Sequence, residues 1–176
     1  MIDYNNTNSS DTFDLEDILE DNQFVLLPPD VYTFQVTQLN LNERFNGSAK
    51  MPPCRKVSVH LDVYTKEQQK VSMKEDFIFY KPLAWKVFAF FRALGLFQNA
   101  DNKCKIPWLL AQGCWGRAKI GQRSWFTQNG DERKTNQVEQ WIEPDENVLK
   151  ANAKAVETYR RTMEANEPAG TMATPF

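Results

Sequence analysis

The sequence predicts a mainly β fold with one helix set into it. Two observations carry this reading. Five segments read as strands, and the clearest of them alternate apolar and polar residues with the period of two that sends neighbouring side chains to opposite faces. Between the third and fourth of them the period changes to that of a helix, over Lys81–Leu94. No run of 18 apolar residues occurs, so no membrane-spanning helix is expected.

The elements follow in order. Residues 1–23 are rich in Asn, Ser, Asp and Glu and are expected to be disordered. Phe13, Leu15, Ile18 and Leu19 sit among those acids at spacings that suit a short amphipathic helix docking on a partner. Pro28-Pro29-Asp30 marks the entry into the folded body. Over Val31–Leu41, Tyr32, Phe34 and Val36 fall on one face and Thr33, Gln35 and Thr37 on the other, a half-buried strand. Residues 42–53, with Asn46-Gly47-Ser48 and Pro52-Pro53, read as a long polar loop. Arg55–Thr65 is the clearest strand: Val57, Val59, Leu61 and Val63 point one way, Lys56, Ser58, His60, Asp62 and Tyr64 the other. A turn over Lys66–Gln69 leads into a third strand, Lys70–Tyr80.

The helix starts at Lys81-Pro82, where proline is tolerated in the first turn. Leu83, Val87, Phe91 and Leu94 form its stripe, Phe88 and Phe90 widen it so that heavy burial is expected, and Gly95 stops it. Residues 98–106 read as loop and Pro107–Gln112 as one helical turn. Gly113–Phe126 is the fourth strand, Thr127–Arg133 (with Asn129-Gly130) a hairpin loop, and Lys134–Ile142 the fifth strand, ended by Pro144. Residues 145–165 read as one helix with a stripe of Leu149, Ala153, Val156, Tyr159 and Met163, suited equally to docking on the body or to pairing in a homodimer. The expected division is a tail over 1–23, a folded body over 24–143, a helix over 144–165 and a flexible tail over 166–176.

Three strands, a helix and two strands is the layout of the OB-fold, a five-stranded Greek-key barrel, with the helix plugging one end. In such a barrel the second and third strands, and the loops joining strands one to two and four to five, line the ligand groove. Those places hold a mixed set of cations and rings. The fourth strand puts Trp115, Arg117, Lys119, Arg123 and Trp125 on one parity. The second and third strands offer Lys56, His60, Tyr64 and Lys74, and the two loops hold Arg44, Phe45, Lys50 and Arg55, and Arg133 and Lys134. Cations track phosphates and aromatic rings stack on bases, which need a free face; the combination favours a single strand over a duplex.

The charge distribution agrees. The net charge of −2 conceals −8 over residues 1–30, +8 over 31–141 and −2 over 142–176. A basic body points to a polyanionic partner, and the acidic leading segment is a candidate competitor for the same groove. Other chemistry finds little support. The single histidine, His60, has no serine or cysteine motif around it, and Glu75 and Asp76 are neighbours on a strand and so face opposite ways. No phosphate-cradling Gly-rich loop occurs. Cys54, Cys104 and Cys114 make neither a disulfide framework nor a C-x-x-C pair. Neither an enzyme nor a metal or other cofactor is expected. The first residues carry no basic stretch followed by an apolar one, so no secretory signal is expected either.

The chain also resembles a family of small bacteriophage proteins long catalogued as a domain of unknown function and taken to be single-stranded DNA-binding proteins with an OB-like barrel. The resemblance lies in Pro29–Val36, Val57–Tyr64, the helix Trp85–Leu96 with its Ala93-Leu94-Gly95-Leu96 ending, Leu110–Ile120, and Asn136-Gln137-Val138 with Trp141, together spanning residues 28–143. Pro52 and Pro53 depart from the Gly/Asn-rich run usual in that loop. The resemblance implies a non-enzymatic protein that coats single-stranded DNA in the host cytoplasm during phage replication or recombination. The ending Thr174-Pro175-Phe176 is similar to the tip with which bacterial single-stranded DNA-binding proteins dock partner proteins, which makes Pro175 and Phe176 candidate contacts to phage recombination or replication proteins. The alternative is an OB-like module that recruits a recombinase or a host replication factor, using its aromatics as interface anchors.

Overall fold

The structure, a computed structural model, describes Leu15, residues 25–96 and residues 105–165, with side chains as far as Thr162. The five expected strands are present as β1 (Asp30–Phe45), β2 (Cys54–Tyr64), β3 (Lys70–Ile78), β4 (Trp115–Phe126) and β5 (Glu132–Ile142). They form one antiparallel sheet in the order β3-β2-β1-β4-β5. The two edge strands share no backbone ladder, so the sheet is not closed into the expected barrel. They do meet through side chains. The Val138 backbone N–H donates to Glu75 Oε1 at 3.4 Å, and the Trp141 ring stacks 6.2 Å from that of Phe77.

The core lies on the face where apolar positions of all five strands converge. Phe34 and Val36 of β1, Val57, Val59, Leu61 and Val63 of β2, Val71, Met73 and Phe77 of β3, and Ala118 and Ile120 of β4 are buried there. The helix α1 (Ala84–Ala93) covers them with Val87, Phe90 and Phe91, and Phe90 meets Phe77 at 5.0 Å and Trp141 at 4.9 Å. Each side chain of this size buried contributes about 1.5–3 kcal/mol. At Gly116 an added Cβ would come 2.5 Å from Phe34 Cζ, so the buried ring of Phe34 packs against bare backbone.

Four details depart from the expected elements. First, β1 runs on to Phe45, so residues 42–45 are strand and only 46–53 are loop. Register shifts between Val36 and Gln38 and between Asn40 and Glu43 insert extra residues and hide the period of two. Second, Lys81–Leu83 is a 3-10 turn that precedes α1. Third, α1 is less enclosed than its apolar girth suggests, because Trp85 is 62% exposed. Its end is as expected, with Gly95 at φ +77°.

The fourth departure is that residues 145–165 form two helices rather than one. The single turn α2 (Trp108–Ala111) precedes β4; after β5 come α3 (Glu146–Ala151) and α4 (Ala153–Ala165). The Asp145 side chain caps α3 by accepting from Val148 N at 2.9 Å. The break falls at Asn152, which is buried and spends its side chain on the sheet. Its Oδ1 accepts from Trp115 N at 2.7 Å, and its Nδ2 donates to Trp115 O at 2.7 Å and to Leu94 O at 2.9 Å. With Val148 buried and Val156 and Tyr159 against the core, the C-terminal helices dock on the body.

Candidate nucleic-acid interface

The sheet face opposite the core carries most of the expected site residues. Register aligns them in rows. Lys70, Tyr64, Thr33 and Arg117 lie side by side across β3, β2, β1 and β4; Ser72, Asp62, Gln35 and Trp115 form the next row, and Lys74 and His60 the one after. The rings of Tyr64 and Trp115 meet across β1 at 5.4 Å. They flank a cleft of about 430 Å³ floored by Val31 and Thr33 and rimmed by Thr65, Lys66 and Gln68. Trp115 is therefore half-buried, and one side of each ring is taken by the other.

Much of the positive charge on this face is already paired. Lys56 Nζ lies 3.5 Å from both Glu43 Oε2 and Asp76 Oδ2, Lys74 Nζ 4.0 Å from Asp76, and Lys70 Nζ 3.9 Å from Asp62. Buried Ser58 sits at the centre of this group, its hydroxyl within hydrogen-bonding reach of Glu43 and 2.7 Å from Asp76 Oδ1. The hydroxyl, with help from Lys74 and Lys56, holds the Glu43 carboxyl below its ordinary range. Lys119 faces Glu139 at 3.7 Å. Arg117 pairs with the capping Asp145 at 3.5 Å and donates to Glu143 O at 3.1 Å, which ties the candidate phosphate ligand to the base of α3.

Of the expected lysines and arginines, those with no carboxylate partner among the described residues are at the two hairpin ends. Pairing of β4 with β1 stops at Ile120–Asp30, so residues 121–126 and 132–137 project as a two-stranded arm. On one side of the arm Trp125 lies opposite Arg133 and Arg123 opposite Thr135, in the parity that continues Trp115, Arg117 and Lys119. Trp125 is 49% exposed. Lys134, opposite Ser124, falls on the other side with Phe126, which is 70% exposed. Gln122 and Asn136 on that same side hold the entering chain: Asn136 bonds Val25 O and Leu27 N, and Gln122 donates to Leu27 O.

The other hairpin end carries Arg44, Phe45, Lys50 and Arg55. Arg44 and Arg55 are direct cross-strand partners, and alternation from Lys56 and Val57 sends them to the core-side parity, away from the Lys56–His60 rows. The register places this end beyond one end of the sheet's centre and the β4–β5 arm beyond the other. The fifteen expected residues thus divide into one long face (Lys56, His60, Tyr64, Lys74, Trp115, Arg117, Lys119, Arg123, Trp125, Arg133), with Phe45, opposite Cys54, on the same parity at its hairpin end, and residues set off from it (Arg44, Lys50, Arg55, Lys134).

The contributions of Lys70 and Lys66 to the face, and of Asn152 and Asp145 behind it, were not among the expected residues. A polar Asn on the helical face of Leu149 and Val156, beside Ala153 of the unbroken stripe, was the available signal for Asn152. Two groups on the core side, half-buried Glu75 and buried Cys114, take no part in the face. Burial raises the Glu75 carboxyl above its ordinary range and pushes the Cys114 thiol up to about 11. No cluster of three or more His, Cys, Asp or Glu suited to a metal ion occurs among the described residues. Cys104, the acidic segment around Phe13 and the ending Pro175-Phe176 lie outside the described residues. The chain matches no protein-family model and no curated protein.

Proposed function

We propose that this protein binds single-stranded DNA, without catalysis and with little sequence preference, as a coating protein of phage replication or recombination. The observation that carries the reading is that one solvent-facing surface holds both kinds of group a single strand needs. The Tyr64–Trp115 cleft and the exposed Trp125 supply rings, and Arg123 and Arg133 beside Trp125 supply cations with no carboxylate partner among the described residues. Rings stack on bases whose faces are free and cations neutralise phosphates. The strand order, the helix between β3 and β4, and the meeting of Glu75 with Val138 and of Phe77 with Trp141 support an OB-like barrel with β3 and β5 as its seam.

Tryptophan fluorescence titrated with a dT oligonucleotide tests the reading, repeated over a salt series with a duplex as control. Quenching that weakens steeply with salt and is absent for duplex is the expected result; no quenching at low salt refutes it. A second reading, a protein-docking module, draws on an apolar cleft of about 260 Å³ lined by Phe79, Val87, Phe88, Ile106 and Trp108, with Phe79 itself 41% exposed. Binding to a replication or recombination protein that is indifferent to salt and to oligonucleotide would favour it.

A further inference from the structure

The end of the β1–β2 hairpin contains an arrangement that costs stability unless something occupies it. Arg44 and Arg55 face each other directly across the two strands, which sets their Cβ atoms about 4.5–5.5 Å apart. Like charges in that position repel. Both side chains are exposed, and neither has a carboxylate partner among the described residues. No acid occurs between them in the sequence, and the loop they bracket adds Lys50. Lys56, the next residue on β2, is matched to Glu43 and Asp76, so on this side of the sheet the unbalanced charge begins at the hairpin end.

We propose that Arg44 and Arg55 form a clamp for one phosphate group of a phosphodiester chain. A guanidinium presents a planar fork that fits two phosphate oxygens at once. Two such forks on adjacent strands enclose a tetrahedral anion from both sides and turn their mutual repulsion into attraction for it. The clamp deepens the single-strand reading and rests on it for the identity of the chain, although not for the affinity toward phosphate itself. Because the pair sits on the core-side parity, the bound chain passes around the hairpin's end rather than along the Lys56–His60 rows.

The test has a part independent of DNA. Melting temperatures of the full chain are compared in inorganic phosphate and in chloride at equal ionic strength, for the wild type, Arg44→Glu and Arg55→Glu. Either substitution replaces a repelling pair with an Arg–Glu pair, so its melting temperature in chloride is expected to rise by about 1–4 °C. Phosphate is expected to raise the melting temperature of the wild type and not of either variant. Equal phosphate shifts in all three, or none in any, overturn the clamp.

The second part uses the dT oligonucleotide and the Arg44→Gln/Arg55→Gln variant. Loss of one clamped phosphate lowers the slope of log K against log salt by about 0.7, and affinity at low salt falls about 10- to 100-fold. A variant that binds with wild-type affinity and slope overturns the clamp and leaves the single-strand reading standing. A wild type that responds to phosphate but does not bind the oligonucleotide overturns that reading and supports the clamp as a phosphate site.

Discussion

Asn152 is the point at which the C-terminal helices are tied to the candidate interface, and its removal has a calculable cost. Its side chain makes three hydrogen bonds from a site 3% exposed to solvent: one from Trp115 N, and one each to Trp115 O and Leu94 O. Asn152→Ala leaves a buried donor and two carbonyls without these partners and opens space where the side chain stood. Each buried polar group left unsatisfied costs about 1–3 kcal/mol, and carbonyls at the lower end because each has a second lone pair. Partial relaxation brings the total to about 3 kcal/mol. For a folded region of this size that lowers the melting temperature by roughly 10 °C.

Thermal unfolding, followed by circular dichroism and by tryptophan fluorescence, measures this loss. Asn152→Asp sharpens the argument. It keeps the acceptor for Trp115 N, loses the donor, and buries a carboxyl whose charged form is disfavoured. Its deficit is expected to be at least as large as that of Asn152→Ala at pH 7 and to shrink as the pH falls and the carboxyl takes up a proton. A melting temperature within 2 °C of wild type for Asn152→Ala would refute the view that this clip holds the start of β4.

Three further outcomes are expected. Gly116→Ala forces a Cβ against the Phe34 ring and should destabilise by about 1–3 kcal/mol, read by urea denaturation. Glu75 has its folded pKa raised by burial, so the folded state holds that proton more tightly than the unfolded one; its contribution is greatest below the unfolded pKa and is lost as the pH rises through the folded value. Glu75→Gln keeps an acceptor for Val138 N and should gain stability relative to wild type as the pH rises from about 4 to 7; a constant difference across that range argues against the assignment. Trp125→Ala should weaken single-strand binding by about 1–3 kcal/mol, one stacked base, with a smaller loss of stability because only half of the ring is buried. Equal losses of binding and stability would place the ring in the fold instead.

Period-two alternation made β2 legible to within a residue, because Val57, Val59, Leu61 and Val63 are buried on one side while the other side is polar. The end of β1 was not legible. There the bulges break the alternation, and what keeps 42–45 in the sheet is pairing with residues 54–56, not their own composition. The helix over 145–165 failed for the same kind of reason. Helical periodicity runs through Asn152 without interruption, and only the backbone groups of Trp115 and Leu94, distant in sequence, draw that side chain inward.

The candidate site divides along the same line. Which residues of β4 share a face follows from parity, a property of the chain alone, and Trp115, Arg117, Lys119, Arg123 and Trp125 do share one. Whether a cation on that face is available is a property of its neighbours across the sheet. Tertiary structure pairs Lys56 with Glu43 and Asp76 and spends Arg117 on Asp145, and it leaves Arg123 and Arg133 without a carboxylate among the described residues. Sequence by itself determined the number of strands, the place of the helix and the apolar face, because local alternation dictates which side of a strand leaves water. Only the fold decided the ion pairs, the meeting of Tyr64 with Trp115 and the opposition of Arg44 to Arg55, because Coulomb forces and ring contacts depend on distances that strand register sets.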